Sequence, residues 1–335
     1  ASRPNGRVGD GVNLSHLLVG SEGTLAFSSA ITLKLSPLPS KKIMGVCHFP
    51  SFYEAMDAAQ HIVTLNPVAV ELVDDTMISL AHRIDMFKPT VEAVVNGCPK
   101  SLLLVEFAEE QMDENHRRLK KLHQLMGDLG YSWNKTKKFG GVVDVIDDKL
   151  QSNVSEMRKS GLNIMMSMKD DAKPVSFIED CAVQLKDLAE YTDGLNKIFD
   201  KYNVKGTWYA HASVGCLHVR PVLNMKILDD VKKMRNIANE TSALVKKFNG
   251  SYSGEHGDGI ARSEFNEVMF GKKMIRIFKF IKNSFDPLNI FNPGKIVDAP
   301  QLDSRNLFRY APTYNAQNIN TVLDWSAWTG ASGGF

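Results

Sequence analysis

Two histidines stand seven residues apart in His211-Ala-Ser-Val-Gly-Cys-Leu-His218, just past the apolar stretch Thr207–Ala210. A strand, a turn and a second strand would bring both rings to one point. Neutral imidazole is a common ligand for Zn, Fe, Ni or Mn. Alone, such a pair also fits structural or solvated histidines. A second segment, Ser253-Gly-Glu-His-Gly-Asp-Gly259, gathers three glycines with Glu255, His256 and Asp258. Glycine lets a backbone approach a ligand closely, and titratable groups on such a turn suit a site. A plain surface turn needs one glycine, not three. Together the segments offer His, His and a carboxylate, a three-ligand metal set with an open position. His256 would stay available as an acid or base. A metal-bound hydroxyl gives up its proton readily, and an imidazole of pKa about 6.5 can accept it. The chemistry is deprotonation of an alcohol or hydrolysis by metal-bound water, and spacing does not choose between them.

Two further segments punctuate the chain. Gly20-Ser-Glu-Gly-Thr-Leu25 follows Leu17-Leu18-Val19. Its backbone N–H groups could cradle a phosphate, or it is simply a tight turn. It lacks the Lys of a Walker loop and is not G-x-G-x-x-G. Phe285-Asp-Pro-Leu-Asn-Ile-Phe-Asn292-Pro-Gly-Lys295 is a run of consecutive turns.

The elements around these segments alternate. Residues 1–13 read as loop. Ala30–Leu35 alternates like a strand stopped by Pro37 and Pro39, where we place a domain boundary. Ile43–Phe49, Ser101–Phe107, Val175–Ile178 and Thr207–Ala210 read as strands. Ser51 caps a helix running to about Thr64, ended by Asn66-Pro67. Residues 113–129 put Leu119, Leu122, Met126 and Leu129 on one helical face, and Leu185 to Tyr202 repeat that spacing. A helix capped by Asp229 or Asp230 turns Val231, Met234, Leu244 and Phe248 inward and ends before Gly250; Met274–Phe285 is the last. This mixture predicts an α+β domain with an antiparallel sheet.

Composition sets the frame. The 335 residues suggest about two domains. With 43% hydrophobic and 23% charged residues the chain is globular. Forty basic against 38 acidic residues leave a net +2, giving no reason to expect nucleic acid or an anionic membrane as partner. No run is long enough for a membrane span. Cys47, Cys98, Cys181 and Cys216 are far apart and read as reduced thiols of a cytoplasmic protein. Cys216 reads as packing, His16 and His48 as core or boundary residues, and His116 and His123 as solvated. The Gly/Pro/Arg-rich start at Ala1, with no leader, reads as an internal piece of a longer chain.

In this order the four segments resemble one family. Gly20-Ser-Glu-Gly-Thr-Leu25 is similar to the signature of FAD-linked oxidases of the p-cresol methylhydroxylase/vanillyl-alcohol oxidase type. His211–His218, Gly254–Gly259 and Asn292-Pro-Gly-Lys295 resemble the C-terminal domain of that family, as in D-lactate and D-2-hydroxyglutarate dehydrogenases. The resemblance covers about residues 14–298. It implies an antiparallel-sheet, ferredoxin-like cap domain over residues 38–300, preceded by the C-terminal strip of an FAD-binding domain at 1–37. Residues 301–335 resemble a connector toward a downstream iron–sulfur domain, as in large bacterial members.

The resemblance also implies roles. His211, His218 and Glu255 would bind Zn or Mn, which holds the hydroxyl and carboxylate of a D-2-hydroxy acid. His256 would take the hydroxyl proton while hydride passes to FAD. Gly20, Ser21, Glu22, Gly23, Thr24, Leu25, Asn292 and Lys295 would contact FAD, and Arg158 and Lys173 the substrate. Arg220 replaces a more common Asn; it would reach a second carboxylate or close the pocket. Ala26 replaces a frequent Gly. An electron acceptor is implied as a partner, and a homodimer is among the expectations. Without the upstream pyrophosphate-binding half, this chain is expected to hold FAD weakly and to be inactive alone. Two competing readings are a metal-dependent hydrolase on the same His/His/Glu site and a non-catalytic cap or docking fragment.

Overall fold

The computed structural model describes residues 14–39, 41–134, 138–168, 170–309, 311 and 322–324. The loop expected over 1–13, and residues 310, 312–321 and 325–335 of the expected connector, lie outside these. The chain forms two compact units. One comprises residues 35–254 with 303–335, the other 1–34 with 255–302.

The larger unit is built on strands β1 (Ile43–Phe49), β2 (Ala69–Asp74), β3 (Ser101–Phe107), β4 (Tyr131–Ser132), β5 (Lys138–Phe139), β6 (Gly141–Val145), β7 (Lys173–Pro174), β8 (Cys181–Ala182), β9 (Gly206–His211) and β10 (Cys216–Leu223). Eight of them form one antiparallel sheet in the order β6-β1-β3-β2-β9-β10-β7, with β8 also paired to β10. β4 and β5 make a separate pair. Its helices are α1 (Phe52–Ile62), α2 (Asp75–His82), α3 (Lys88–Val94), α4 (Met112–Asp128), α5 (Asp148–Lys159), α6 (Gly161–Met166), α7 (Leu188–Lys201) and α8 (Leu228–Lys247).

β-strands expose alternate residues to opposite faces. On one face Met44, Val46, Val73, Leu102 and Leu104 pack with Met77, Val91, Val154, Met157 and Ile164 from α2, α3, α5 and α6. On the other, Gly45 of β1 meets α4 so closely that a Cβ there would lie 2.7 Å from Leu122 Cδ2. That side also buries Cys47, Phe49, Leu103, Val105, Leu72 and Leu217.

Most expected elements form. Ser51 caps α1, its hydroxyl accepting from Glu54 N, and Asn66 ends the segment in left-handed conformation. Leu119, Leu122 and Met126 are buried on α4 as expected, whereas Leu129 lies past its end. Three expectations fail. Ala30–Leu35 joins no ladder among the described residues and Ile31 and Leu33 are exposed; alternation alone supplies no partner strand. Val175–Ile178 is irregular and lies between β7 and β8. Helix α8 begins at Leu228 without a side-chain cap, so Asp229 and Asp230 sit in its first turn, and Val245 is buried rather than Leu244 or Phe248.

The smaller unit contains the Gly20–Leu25 turn, α9 (Gly259–Arg262) and α10 (Asn266–Phe285). α10 starts eight residues before the expected Met274 and kinks at Gly271, whose φ is +81°. Asp286 stops it by accepting from Ile290 N at 2.9 Å and Phe291 N at 2.8 Å. Lys282 pairs with Asp286 and donates to Thr24 O and Phe291 O at 2.7 and 2.6 Å. The glycine-rich turn and the Phe285–Lys295 loop are thereby tied within one unit. No helix among the described residues is long and apolar enough to cross a membrane.

Candidate active site

In the larger unit β9 and β10 form the hairpin expected around the paired histidines. Its turn closes at Gly215, with φ +69° and a Cβ position only 2.1 Å from Val183 O. Any side chain there would be both strained and blocked. The register pairs Cys216 with His211 and His218 with Tyr209, so these four side chains share a face with Arg220. The His211 and His218 rings lie 5.0 Å apart at 89°. His218 is buried, while the His211 side chain is 31% exposed.

Strand β2 supplies the partner of His211. Glu71 lies opposite it in the ladder. The two Glu71 oxygens lie 2.7 and 3.0 Å from His211 Nδ1. Facing a carboxylate, Nδ1 is the ring nitrogen placed to donate, an arrangement that in the neutral ring assigns the lone pair to Nε2. Glu71 also pairs with Arg158 at the end of α5. The Arg158 guanidinium lies 5.7 Å from the Tyr209 ring centroid, and that of Arg220 lies 5.9 Å from the same centroid. Arg220 is buried and donates through Nε to buried Glu179. Both arginines expected to bind substrate are therefore ion-paired within this unit.

Asp180 is buried with φ +77°. Its carboxylate accepts from Cys216 Sγ at 3.4 Å and Ser253 Oγ at 3.1 Å. Its carbonyl accepts from Gly254 N at 2.7 Å. The chain is thus fixed up to the residue before Glu255. Cys216 is buried, as expected of a packing residue, and none of the four cysteines is in a disulfide. Lys173 lies opposite Leu223, five positions along β10 from His218, and its Nζ donates to Met168 O.

In the smaller unit Glu255 and His256 are about half exposed, with Glu255 Oε1 3.3 Å from His256 Nε2. The following turn is held by the Gly20–Leu25 segment. Glu22, in left-handed conformation, accepts from Asp258 N at 2.5 Å and Gly259 N at 2.8 Å. Asn292 Nδ2 donates to Glu22 O at 2.5 Å. Thr24 is buried, and Ser21 and Thr24 bond within the turn. A cavity of about 290 Å³ adjoins it, bounded by Gly20, Thr24, Leu25, Phe270, Phe278 and Ile281. Lys295 is half-buried.

The structure therefore brings His211, His218, Arg158 and Arg220 onto one sheet face. It ties Glu22 and Asn292 to the turn after His256. Glu71, Tyr209, Glu179 and Asp180 escaped the sequence reading. A signal existed for Glu71, a carboxylate inside the apolar run Val68–Val73. The other histidines divide. His48 is buried, His16 and His116 are exposed, and His123 pairs with Asp144 at 2.6 Å near the surface. His16 is thus not a core residue.

Residues 38–296 match the family described as FAD linked oxidases, C-terminal domain. The chain belongs to that family. A D-2-hydroxyglutarate dehydrogenase of Pantoea ananatis is 32% identical over 291 residues, covering 85% of this chain and 28% of that protein. A probable mitochondrial D-lactate dehydrogenase of Danio rerio is 26% identical, covering 88% of this chain and 56% of that protein. The chain thus spans about 28% of the D-2-hydroxyglutarate dehydrogenase. Among solved structures, p-cresol methylhydroxylase with substrate bound aligns with TM-score 0.54 at 12% identity, over 78% of this chain and 54% of that one. The family resemblance and the antiparallel-sheet α+β fold read from the sequence are both borne out.

Proposed function

We propose that this chain is the cap and substrate-binding part of an FAD-dependent dehydrogenase that oxidises a D-2-hydroxy acid to the 2-oxo acid. Residues 38–300 form that domain and residues 1–37 a strip of the FAD-binding domain. The observation that carries the reading is the pair of perpendicular imidazoles 5.0 Å apart, one with Nδ1 bound to a carboxylate. That donor chemistry suits a divalent cation such as Zn or Mn, since metal-ligating histidines commonly give their other N–H to a carboxylate. Glu255, one peptide bond beyond the fixed Gly254, is the third ligand. Such a metal, when bound, acidifies a coordinated hydroxyl. FAD, when bound, supplies the hydride acceptor. Positive φ at Gly20, Glu22 and Gly23, beside a mostly apolar cavity, suits the close approach of a flat ring system.

The chain's own side chains then divide the work. His256 removes the substrate's 2-hydroxyl proton. Arg158 and Arg220 orient carboxylate oxygens. A guanidinium has five N–H donors, and Glu71 or Glu179 takes only part of that set. Lys173 adds positive charge at the far end of β10. Membership of a flavin-linked family favours oxidation over hydrolysis. Dye reduction by the complete gene product, screened over D- and L-2-hydroxy acids, tests this. D-2-hydroxyglutarate or D-lactate should be turned over and the L-forms should not. Absence of turnover with every D-2-hydroxy acid overturns the proposal.

A further inference from the structure

Glu71 is a carboxylate on the central strand β2, about one-fifth exposed, in a strand whose neighbours Val70, Leu72 and Val73 are fully buried. A charged group in such a place is costly unless its bonds are specific. Its partners are His211 Nδ1 and the Arg158 guanidinium. The β2–β9 ladder sets Glu71 opposite His211, so sheet register brings the carboxylate to the imidazole.

We infer that Glu71 is a positioning residue: it holds His211 in the Nδ1–H tautomer, leaving Nε2 as the ligating nitrogen, while fastening Arg158 beside Tyr209. This rests on the metal reading proposed above. Two points support it. Both Glu71 oxygens lie within 3.0 Å of Nδ1, so ring rotation about the Cβ–Cγ bond would break two contacts. Which ring nitrogen of a neutral histidine carries the proton is set by the hydrogen bonds it makes, so a fixed Nδ1–H calls for an acceptor such as this one. Arg158 Nη2 lies 3.4 Å from the same Nδ1 and only donates, so it competes for that nitrogen and Arg158→Met is the control that separates the two neighbours. Glu71 therefore does for His211 what a backbone carbonyl does for His48, with a carboxylate as the acceptor in place of a carbonyl.

The test uses the full chain and the variants Glu71→Ala, Glu71→Gln, Arg158→Met and His211→Ala. The first readout is ¹⁵N NMR of histidine-labelled metal-free protein. His211 should report Nδ1–H in the parent and in Arg158→Met, and shift toward Nε2–H in Glu71→Ala. The second is affinity for Zn²⁺ or Mn²⁺ by competition with a chromophoric chelator. Affinity should fall about 10–100-fold in Glu71→Ala and less in Glu71→Gln, which keeps one acceptor. Far-UV circular dichroism confirms that the variants are folded. An unchanged His211 tautomer in Glu71→Ala overturns the inference. So does unchanged metal affinity in Glu71→Ala when His211→Ala loses the metal. A parent that binds no metal in competition, yet shows the Nδ1–H tautomer and its loss in Glu71→Ala, defeats the metal reading while upholding the positioning of the ring. A tautomer that shifts equally in Arg158→Met assigns the effect to the ion pair and contradicts the inference.

Discussion

His48 and His211 both lie on central-sheet strands and both engage Nδ1, yet they end in opposite chemistry. His48 Nδ1 donates to Val46 O at 2.9 Å and its Nε2 accepts from Asn96 N at 3.0 Å. Both nitrogens are used, and burial lowers its pKa from 6.5 to about 4. A base whose pKa is depressed on folding binds more protons unfolded, so stability rises with pH in that window. Its contribution is complete above pH 6.5 and is lost as pH falls to about 4. The loss is on the order of 3 kcal/mol. Denaturant unfolding from pH 7 to 4 should show a steeper fall for the parent than for His48→Gln; parallel curves would contradict this. His211 instead gives Nδ1 to a carboxylate, which is what suits the ring to ligation. For the proposed base, His256→Ala should cut turnover about 10²- to 10⁴-fold with metal content nearly unchanged. Loss of metal in that variant would make His256 a ligand.

At the scale of elements, the β9–β10 hairpin was legible because an apolar strand, small turn residues and a second alternating strand sit together in sequence. Its turn depends on Gly215. Gly215→Ala adds a Cβ against Val183 O at positive φ. Its cost should exceed about 1 kcal/mol, and it should also weaken metal binding by separating the rings. Equal stability and affinity would show that the hairpin tolerates a side chain there. Glu71 was not legible as a partner, because it lies 140 residues from His211 and only the β2–β9 register unites them. Arg158 and Arg220 were legible as site residues but their ion pairs were not, since Glu71 lies 87 residues from the first and Glu179 41 residues from the second. The extended reading of Ala30–Leu35 failed for the converse reason: a local pattern was present and a ladder was not. Glu22, expected to contact FAD, has its carboxylate spanning Asp258 N and Gly259 N at the start of α9. Glu22→Ala should therefore speed amide hydrogen exchange at Asp258 and Gly259; unchanged protection would release Glu22 from that role.

For the whole molecule, a ligand that binds only the folded state adds RT ln(1 + [L]/Kd) to stability. Zn²⁺ or Mn²⁺ at 100 times its dissociation constant should add about 2.7 kcal/mol to unfolding, and the gain should vanish in His218→Ala. In the proposed reaction that metal acts together with flavin on a D-2-hydroxy acid. Anaerobic bleaching of the flavin in the complete gene product by D-2-hydroxyglutarate or D-lactate, before and after chelation, tests it most directly. Bleaching should stop when the metal is stripped and return when Zn²⁺ or Mn²⁺ is restored. Bleaching at full rate in metal-free protein would contradict it.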